Sequence, residues 1–473
     1  MRKKLCLAIL ALGLLLPIST AQVASAASIV DFGAADTTAT KEWGVYKKYA
    51  YSENGNAQAL FYGEYKSTET SDYEFVVHDV RNASGGVTLS TVTKIAQDFE
   101  AKTGRKVKMA TNGDFFDGTG SSIDSLVIDG YAIKQGSYTN KNAFGFDNDG
   151  NAVVGRMTEV KDVLEVTLEG VSYRLDIDKE NKAPEAGEIS LYTSASGLTL
   201  ANTVKYKITS NAESTLLTGR PLEGTCGMAV TNDKFSLSAG QCAIVAQKDG
   251  KEAEFLTKAL SYGATCKIVS MPAGNFENME YVVGGWDILV KDGAIVPSTH
   301  STTADPNGGG YDAPRTMIGM KEDGTLFLAV IDGRQSGYSV GCTVAEEGKL
   351  ALALGAKFAL ELDGGGSSTF LYDLGSGLTL LNKPSDGSQR KVSNALLLVE
   401  RDKNETKYAS LNDYQGAGGT NTGNTGNSEN TGGSTKKEEK SGCGGALGGV
   451  SVIAGGCLLC AVYLINKKRG EER

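Results

Sequence analysis

Apolar and polar positions in this chain fall into two helix-strand-loop runs. Leu89, Val92, Ala96 and Phe99 recur at helical spacing and stop at Gly104; Val107 and Met109 then alternate with Lys106 and Lys108 as a strand, which empties into Asn112-Gly113-Asp114-Phe115-Phe116. The same order returns later. Thr343-Val344-Ala345-Glu346 is a T-x-x-E capping box opening a helix through Leu350, Leu352 and Leu354 to a stop at Gly355. The apolar run Phe358-Ala359-Leu360-Glu361-Leu362 then delivers Asp363-Gly364-Gly365-Gly366-Ser367-Ser368. If the two strands share a sheet, both polar loops face one pocket.

Elsewhere the period is two. Asn148-Asp149-Gly150 follows Phe144 and Phe146, Lys291-Asp292-Gly293 separates Val290 from Ile295, and Glu322-Asp323-Gly324 separates Ile318 from Leu326, so each predicts a hairpin. From about Glu159 to Ser270, short runs such as Leu164, Val166 and Leu168 carry no polar constellation and predict sheet scaffold or an inserted subdomain. The whole predicts an α+β fold, a mixed and mostly β-sheet domain with a few helices.

The chain ends follow another logic. Arg2-Lys3-Lys4, the apolar Leu5 to Leu16 and Ala24-Ser25-Ala26 have the three parts of a secretory signal over residues 1–26. Gly445 to Ile465 is uncharged and, at roughly twenty residues, long enough to cross a bilayer as a helix. Lys467-Lys468-Arg469 follows, so the positive-inside tendency puts the tail 466–473 in the cytoplasm and the body outside, a single-pass protein of the cell membrane. Between them the expected parts are an N-terminal extension (27–72), a main domain (73–402) and a Gly/Asn/Thr-rich flexible stalk (412–441).

Composition narrows the chemistry. A net charge of −9 over 473 residues, with no basic stripe, argues against a nucleic-acid partner. Cys226, Cys242, Cys266 and Cys342 lie in the body, where an oxidising compartment favours pairing, and three connectivities are open. Of the two histidines, His78 in the apparent strand Glu74 to Val80 is expected to be structural and His300 to be a solvent-exposed loop residue. No Ser/His/Asp spacing supports a hydrolase triad.

What remains is an array of loop ends. Pro314-Arg315-Thr316 precedes the Glu322 hairpin and Asp332-Gly333-Arg334-Gln335 follows it, so with Asp114 and Asp363 the rims carry two guanidiniums and three carboxylates. An arginine fork suits a phosphate oxygen pair, and the N–H groups of Gly364, Gly365 and Gly366 can form an anion nest. The acids could serve as base, nucleophile or electrostatic partner of an oxocarbenium-like centre.

Taken in order, Asn112-Gly113-Asp114-Phe115-Phe116, Pro314-Arg315-Thr316-Met317-Ile318-Gly319, Val330-Ile331-Asp332-Gly333-Arg334, Gly341-Cys342-Thr343, Leu362-Asp363-Gly364-Gly365-Gly366-Ser367-Ser368-Thr369 and Val392-Ser393-Asn394-Ala395-Leu396-Leu397 resemble the phosphodiester glycosidase family, which includes bacterial proteins linked to exopolysaccharide. The resemblance covers roughly Tyr73 to Arg401. It implies hydrolysis of a sugar-1-phosphodiester to free sugar and a phosphomonoester. Carried onto this sequence, it implies catalytic roles for Asp363, Asp332 and Asp114, and substrate or phosphate contacts from Asn112, Arg315, Arg334, Gly364, Gly365, Gly366, Ser367 and Ser368; on chemical grounds Glu361 joins the catalytic candidates, as a group to orient water or attack the anomeric carbon. Glu361 stands where the family often has Asn, and Asp114 where it often has Gly.

The expectation is therefore an exported, membrane-tethered enzyme acting on phosphodiester-linked glycans, with no cofactor predicted. Two alternatives stay open: a non-catalytic glycan-binding protein on the same fold, and a metal-dependent phosphodiesterase in which clustered Asp residues hold Ca²⁺ or Mg²⁺.

Overall fold

Residue-by-residue alternation builds the central sheet. Along Arg315–Lys321 and Leu326–Ile331, Ile318, Met320, Leu328 and Val330 point into one core while Met317, Phe327, Ala329 and Ile331 point into another, so both faces of the sheet are covered. The computed structural model describes residues 30–83, 85–136, 138–193, 198–211, 221–299 and 309–415.

The two central strands belong to an antiparallel eight-stranded sheet, ordered Thr37–Lys41, Gly44–Glu53, Asn56–Tyr65, Leu326–Ile331, Arg315–Lys321, Ala356–Glu361, Ile288–Lys291, Ala294–Ile295. A five-stranded sheet packs on one face: Leu378–Leu380, Phe370–Asp373, Val107–Asn112, Asn394–Glu400, Tyr73–Asp79. The sheets approach closely at Gly63, where a Cβ would lie 2.2 Å from the Met109 sulfur. Helix α1 (Val92–Thr103) covers the second sheet with Val92, Ile95, Ala96 and Phe99. A third sheet of five strands runs through Tyr131–Lys134, Leu126–Ile128, Tyr281–Gly285, Asn142–Phe146 and Ala152–Gly155. Helix α2 (Lys251–Ala259), which the sequence pattern does not single out, closes the core of a nine-stranded sheet built almost wholly from residues 160–272. Helix α3 (Val344–Ala353) covers the outer face of the central sheet, with Val344, Leu350 and Ala351 against Leu289, Met317 and Ala359.

Local signals locate these elements. The Thr343–Glu346 capping box forms as expected, each side chain taking the other's backbone N–H, at 3.2 and 2.9 Å. Both expected glycine stops are left-handed, Gly104 at φ +75° and Gly355 at φ +90°. The three hairpins form at the expected turns. The fold is mostly β-sheet with three α-helices among the described residues.

Other expectations are revised. The segment read as an N-terminal extension supplies three strands of the central sheet, Asn56–Tyr65 pairing with Leu326–Ile331. The body also runs past residue 402, because Tyr408–Ala409 pairs with Ser172 and Tyr173 of the nine-stranded sheet. The four body cysteines are free thiols, although the sulfurs of Cys226 and Cys266 stand 3.9 Å apart. His78 is structural as expected, its Nε2 lying 2.8 Å from Asp98 on α1. The expected stalk starts too early, since Leu411–Asp413 forms a 3₁₀ turn and Tyr414 packs on Phe255 of α2; the signal, the rest of the stalk from residue 416, the span Gly445 to Ile465, the basic tail and His300 lie outside the described residues. Among those residues no helix is long and apolar enough to cross a membrane.

Candidate active site

Asn112 is the pin of the site. Its strand and the strand before Asp363 belong to different sheets, yet their loops meet. The Asn112 amide donates to the Asp363 carbonyl at 2.6 Å and accepts at 3.1 Å from both the Thr369 N–H and the Thr316 hydroxyl. The Asp363 N–H in turn reaches the Gly113 carbonyl at 3.1 Å. The Asn112 side chain thus binds the loop's own backbone.

The glycine run is also engaged internally. Gly365 (φ +61°) through Ser367 forms a single 3₁₀ turn. The Gly365 N–H donates to Pro314 O at 2.8 Å, and those of Ser367 and Ser368 to Gly364 O and Gly365 O. Of the three glycine amides expected to form an anion nest, that of Gly365 is thus already taken by Pro314. The Ser368 hydroxyl meets that of Thr316 at 3.1 Å below the turn.

Arg315 faces inward. It is buried, and its guanidinium donates to the carbonyls of Cys342 (3.0 Å) and Tyr311 (2.9 Å) and to Glu361 Oε1 (3.3 Å). Glu361 is buried too, its other oxygen near the Asp287 N–H at 3.4 Å. These two residues, expected at the substrate, form an ion pair beneath the loop. Beside them Glu347 of α3 is fully buried with both oxygens unpartnered among the described residues; burial, then the Glu361 charge, raises its pKa well above the usual carboxylate range. Asp332 is likewise a clamp, accepting from the Asn382 amide (2.8 Å), the Lys383 N–H (2.8 Å) and the Tyr338 hydroxyl (3.0 Å). Asn382 also holds Ser368 O at 3.1 Å, tying Asp332 to the loop from below.

The rim differs. Asp363 is part-exposed, and burial of its carboxyl raises the pKa to about 6 against the pull of the Ser367 hydroxyl and the Arg390 charge. Arg334 is exposed and sits at φ +58°; its backbone N–H donates to Val340 O at 3.0 Å, while its guanidinium has no hydrogen bond or ion pair among the described residues. It lies over the turn, since a Cβ on Gly365 would be 3.2 Å from its Nη1. Arg390, paired with Asp386 at 2.8 Å, crowds Gly366 from the other side, 2.1 Å from where a Cβ would be. An αL backbone on a non-glycine residue persists where surroundings enforce it, and here it sets a guanidinium over the Gly365 turn.

Next to this rim lies a cluster of buried polar side chains that the sequence reading only touches. Asp114 is buried and its pKa is raised to about 7, chiefly by burial, against hydrogen bonds from the Ser122 hydroxyl and the Asp124 N–H. Lys141 is buried as well, and burial lowers its pKa to about 8 although Asp114, Glu361, Asp124 and Asp363 oppose that. Lys141, Asp124, Trp286 and Arg390 escaped the sequence reading. A tryptophan after Gly284-Gly285 in a chain with two tryptophans was the available signal, whereas a lysine between two asparagines carries none. Among the described residues, no group of three or more His, Cys, Asp or Glu side chains is arranged to hold a metal ion. The described cleft of about 890 Å³ lined by Lys161, Arg174, Glu280, Arg401 and Tyr408 shares no residue with this site.

Residues 222–399 match the family model described as phosphodiester glycosidase. The resemblance carried by the motifs is thus met over a stretch that holds Arg315, Asp332, Arg334, Glu361 and the loop Asp363 to Ser368. A separate comparison finds 34% identity over 137 residues with the SPbeta prophage-derived uncharacterized protein YomE of Bacillus subtilis strain 168, covering 29% of this chain; the chain spans only 20% of that relative's length. Among solved structures, a hypothetical protein from Synechocystis aligns at 16% identity and TM-score 0.45, over 76% of this chain and 62% of its own. The catalytic domain of zebrafish N-acetylglucosamine-1-phosphodiester alpha-N-acetylglucosaminidase, auto-inhibited by its pro-peptide, aligns at 15% identity and TM-score 0.39, over 75% of this chain and 82% of its own. At these scores the structural likeness carries no functional weight.

Proposed function

We propose that this chain is an exported, membrane-tethered hydrolase of sugar-1-phosphodiesters in cell-envelope or extracellular glycans, releasing a sugar and leaving a phosphomonoester. The observation that supports this reading is the Arg334 guanidinium, unpaired among the described residues and held over the Gly365 turn two residues along the loop from Asp363, within the stretch that matches the family. Arg334, assisted by Arg390, neutralises the phosphodiester and stabilises the charge that builds on the departing phosphate. Asp363, with a pKa of about 6, is mostly ionised at neutral pH and takes the proton of the attacking water. Export and tethering rest on the signal-like residues 1–26 and the apolar stretch Gly445 to Ile465.

A test mixes the full chain with UDP-N-acetylglucosamine and with a GlcNAc-1-phosphate diester and follows free sugar. Release by the parent and none by Asp363→Asn supports the reading; silence from a folded parent on both substrates removes it for this sugar. In ¹⁸O water, label in the sugar means anomeric C–O cleavage and label in the phosphate means P–O cleavage. A second reading, a non-catalytic glycan-binding protein, draws on the inward engagement of Arg315, Asn112 and Asp332. It predicts glycan affinity without turnover.

A further inference from the structure

Three buried polar atoms near Asp363 have no hydrogen-bond partner among the described residues: Asp114 Oδ1, Asp124 Oδ2 and Lys141 Nζ. Their residues are 1%, 2% and 5% exposed, so water in bulk does not reach them. The other oxygen of each carboxylate is firmly held. Asp114 Oδ2 accepts from the Ser122 hydroxyl and from the Asp124 N–H at 3.1 Å, and Asp124 Oδ1 accepts from the Ser125 N–H (2.6 Å) and hydroxyl (2.8 Å). Both carboxylates are therefore fixed in orientation with one acceptor unused. Buried unpaired groups are costly and rare in native folds, and three together call for an occupant.

The wall beside them is aromatic. Lys141 Nζ stands 2.7 Å from the Trp286 ring centroid and 4.8 Å from that of Phe115. The rings meet edge to face, with centroids 5.6 Å apart at 82°, and both are part-exposed. A metal cation would find two acceptors but an ammonium set against it. A phosphate would find the ammonium but two carboxylates set against it. A neutral pyranose ring satisfies all parts at once, because vicinal hydroxyls donate to the carboxylates and accept from the ammonium while the C–H face lies on an aromatic ring.

We propose that Asp114, Asp124 and Lys141, walled by Trp286 and Phe115, form a saccharide subsite that takes the hydroxyl edge of a neutral pyranose ring beside Asp363. This deepens the hydrolase reading, and rests on it for the placing of the scissile bond, but binding of the ring is measurable by itself. Trp43 and Trp286 are the chain's two tryptophans. In the full chain carrying Trp43→Phe, fluorescence reports Trp286 alone. The probes are free N-acetylglucosamine, glucose and galactose, and separately MgCl₂ and CaCl₂.

The expected result is a saturable response to at least one sugar, with affinity falling at least tenfold in Lys141→Met and in Asp124→Asn while the thermal midpoint is kept. Asp124→Asn is isosteric and carries the test where Lys141→Met does not fold. No saturable response to any of the three sugars, a response unchanged in the folded variants, or a response to the cations alone overturns the proposal. Sugar binding without diester hydrolysis would remove the hydrolase reading and leave the subsite, whereas hydrolysis whose KM is unmoved in both variants would do the reverse.

Discussion

Below the Asp363 loop and above it, the same residue types do opposite things. Below, Arg315 is buried, donates to backbone carbonyls and a carboxylate, and has ordinary backbone; Asn112 and Asp332 are buried with every carboxylate or amide oxygen engaged. Above, Arg334 is exposed, left-handed in backbone and unpaired among the described residues, and Asp363 keeps a raised pKa. In the floor Arg315, Asn112 and Asp332 are satisfied by protein partners, with the buried Glu347 as the exception. The rim keeps the Arg334 guanidinium without a partner among the described residues. A rigid, satisfied support under a small set of unsatisfied groups is what precise positioning of a reacting centre requires.

The sharpest break of this contrast is at Asp363. Asp363→Asn should lower kcat for diester hydrolysis by about 10²–10⁴-fold and leave the thermal midpoint unchanged or slightly higher, since burial penalises its charge. A large fall in midpoint would move Asp363 to the floor. Arg315→Met should do the converse. It leaves Glu361 buried without its guanidinium, a loss of about 3–5 kcal/mol by analogy with other broken buried pairs, read by chemical denaturation. If the variant stays fully stable but loses turnover, the division between floor and rim fails at its best-defined residue.

Arg334→Ala comes next. Losing one charge-assisted contact to a phosphate is worth about 1.5–3 kcal/mol, or roughly ten- to a hundredfold in kcat/KM, with no cost in stability and relief of the left-handed backbone only if glycine is placed there instead. The pH profile adds a smaller effect. Asp363 acting as a base makes kcat/KM rise with pH and level off above about 6, as the proton leaves; a profile falling through that region would make it the acid.

Some of this was legible in the chain. Caps, stops and turns are local, so Thr343, Glu346, Gly104, Gly355 and the three hairpins read directly. Sheet membership is not local: nothing in Asn56–Tyr65 says that it pairs with Leu326–Ile331, so three core strands read as an extension. The same limit governs the site. The motifs named loops that meet in the fold, but Pro314-Arg315-Thr316 and Asp332-Gly333-Arg334 look alike as loop ends, and only the packing turns one arginine in and the other out. Lys141 has no motif, and becomes visible only when Asp114, Asp124 and Trp286 are folded around it.

The smallest expected effect tests the floor from inside. Glu347 is buried with neither oxygen partnered among the described residues, and burial, followed by the Glu361 charge, raises its pKa far above the usual value, with Arg315 opposing. The folded chain therefore keeps a proton that the unfolded chain loses once pH passes the ordinary carboxylate pKa. Because the folded state binds more protons, stability is full below that value and falls as pH rises. Glu347→Gln removes the titration without changing shape. Its stability should match the parent within about 1 kcal/mol at pH 4 and exceed it increasingly toward pH 8, as read by denaturant midpoints across that range. Parallel curves for parent and variant would mean that Glu347 is ionised in the fold. The Arg315–Glu361 pair would then be one part of a larger charge cluster, and the floor would be held by compensation among charges instead of by satisfied hydrogen bonds.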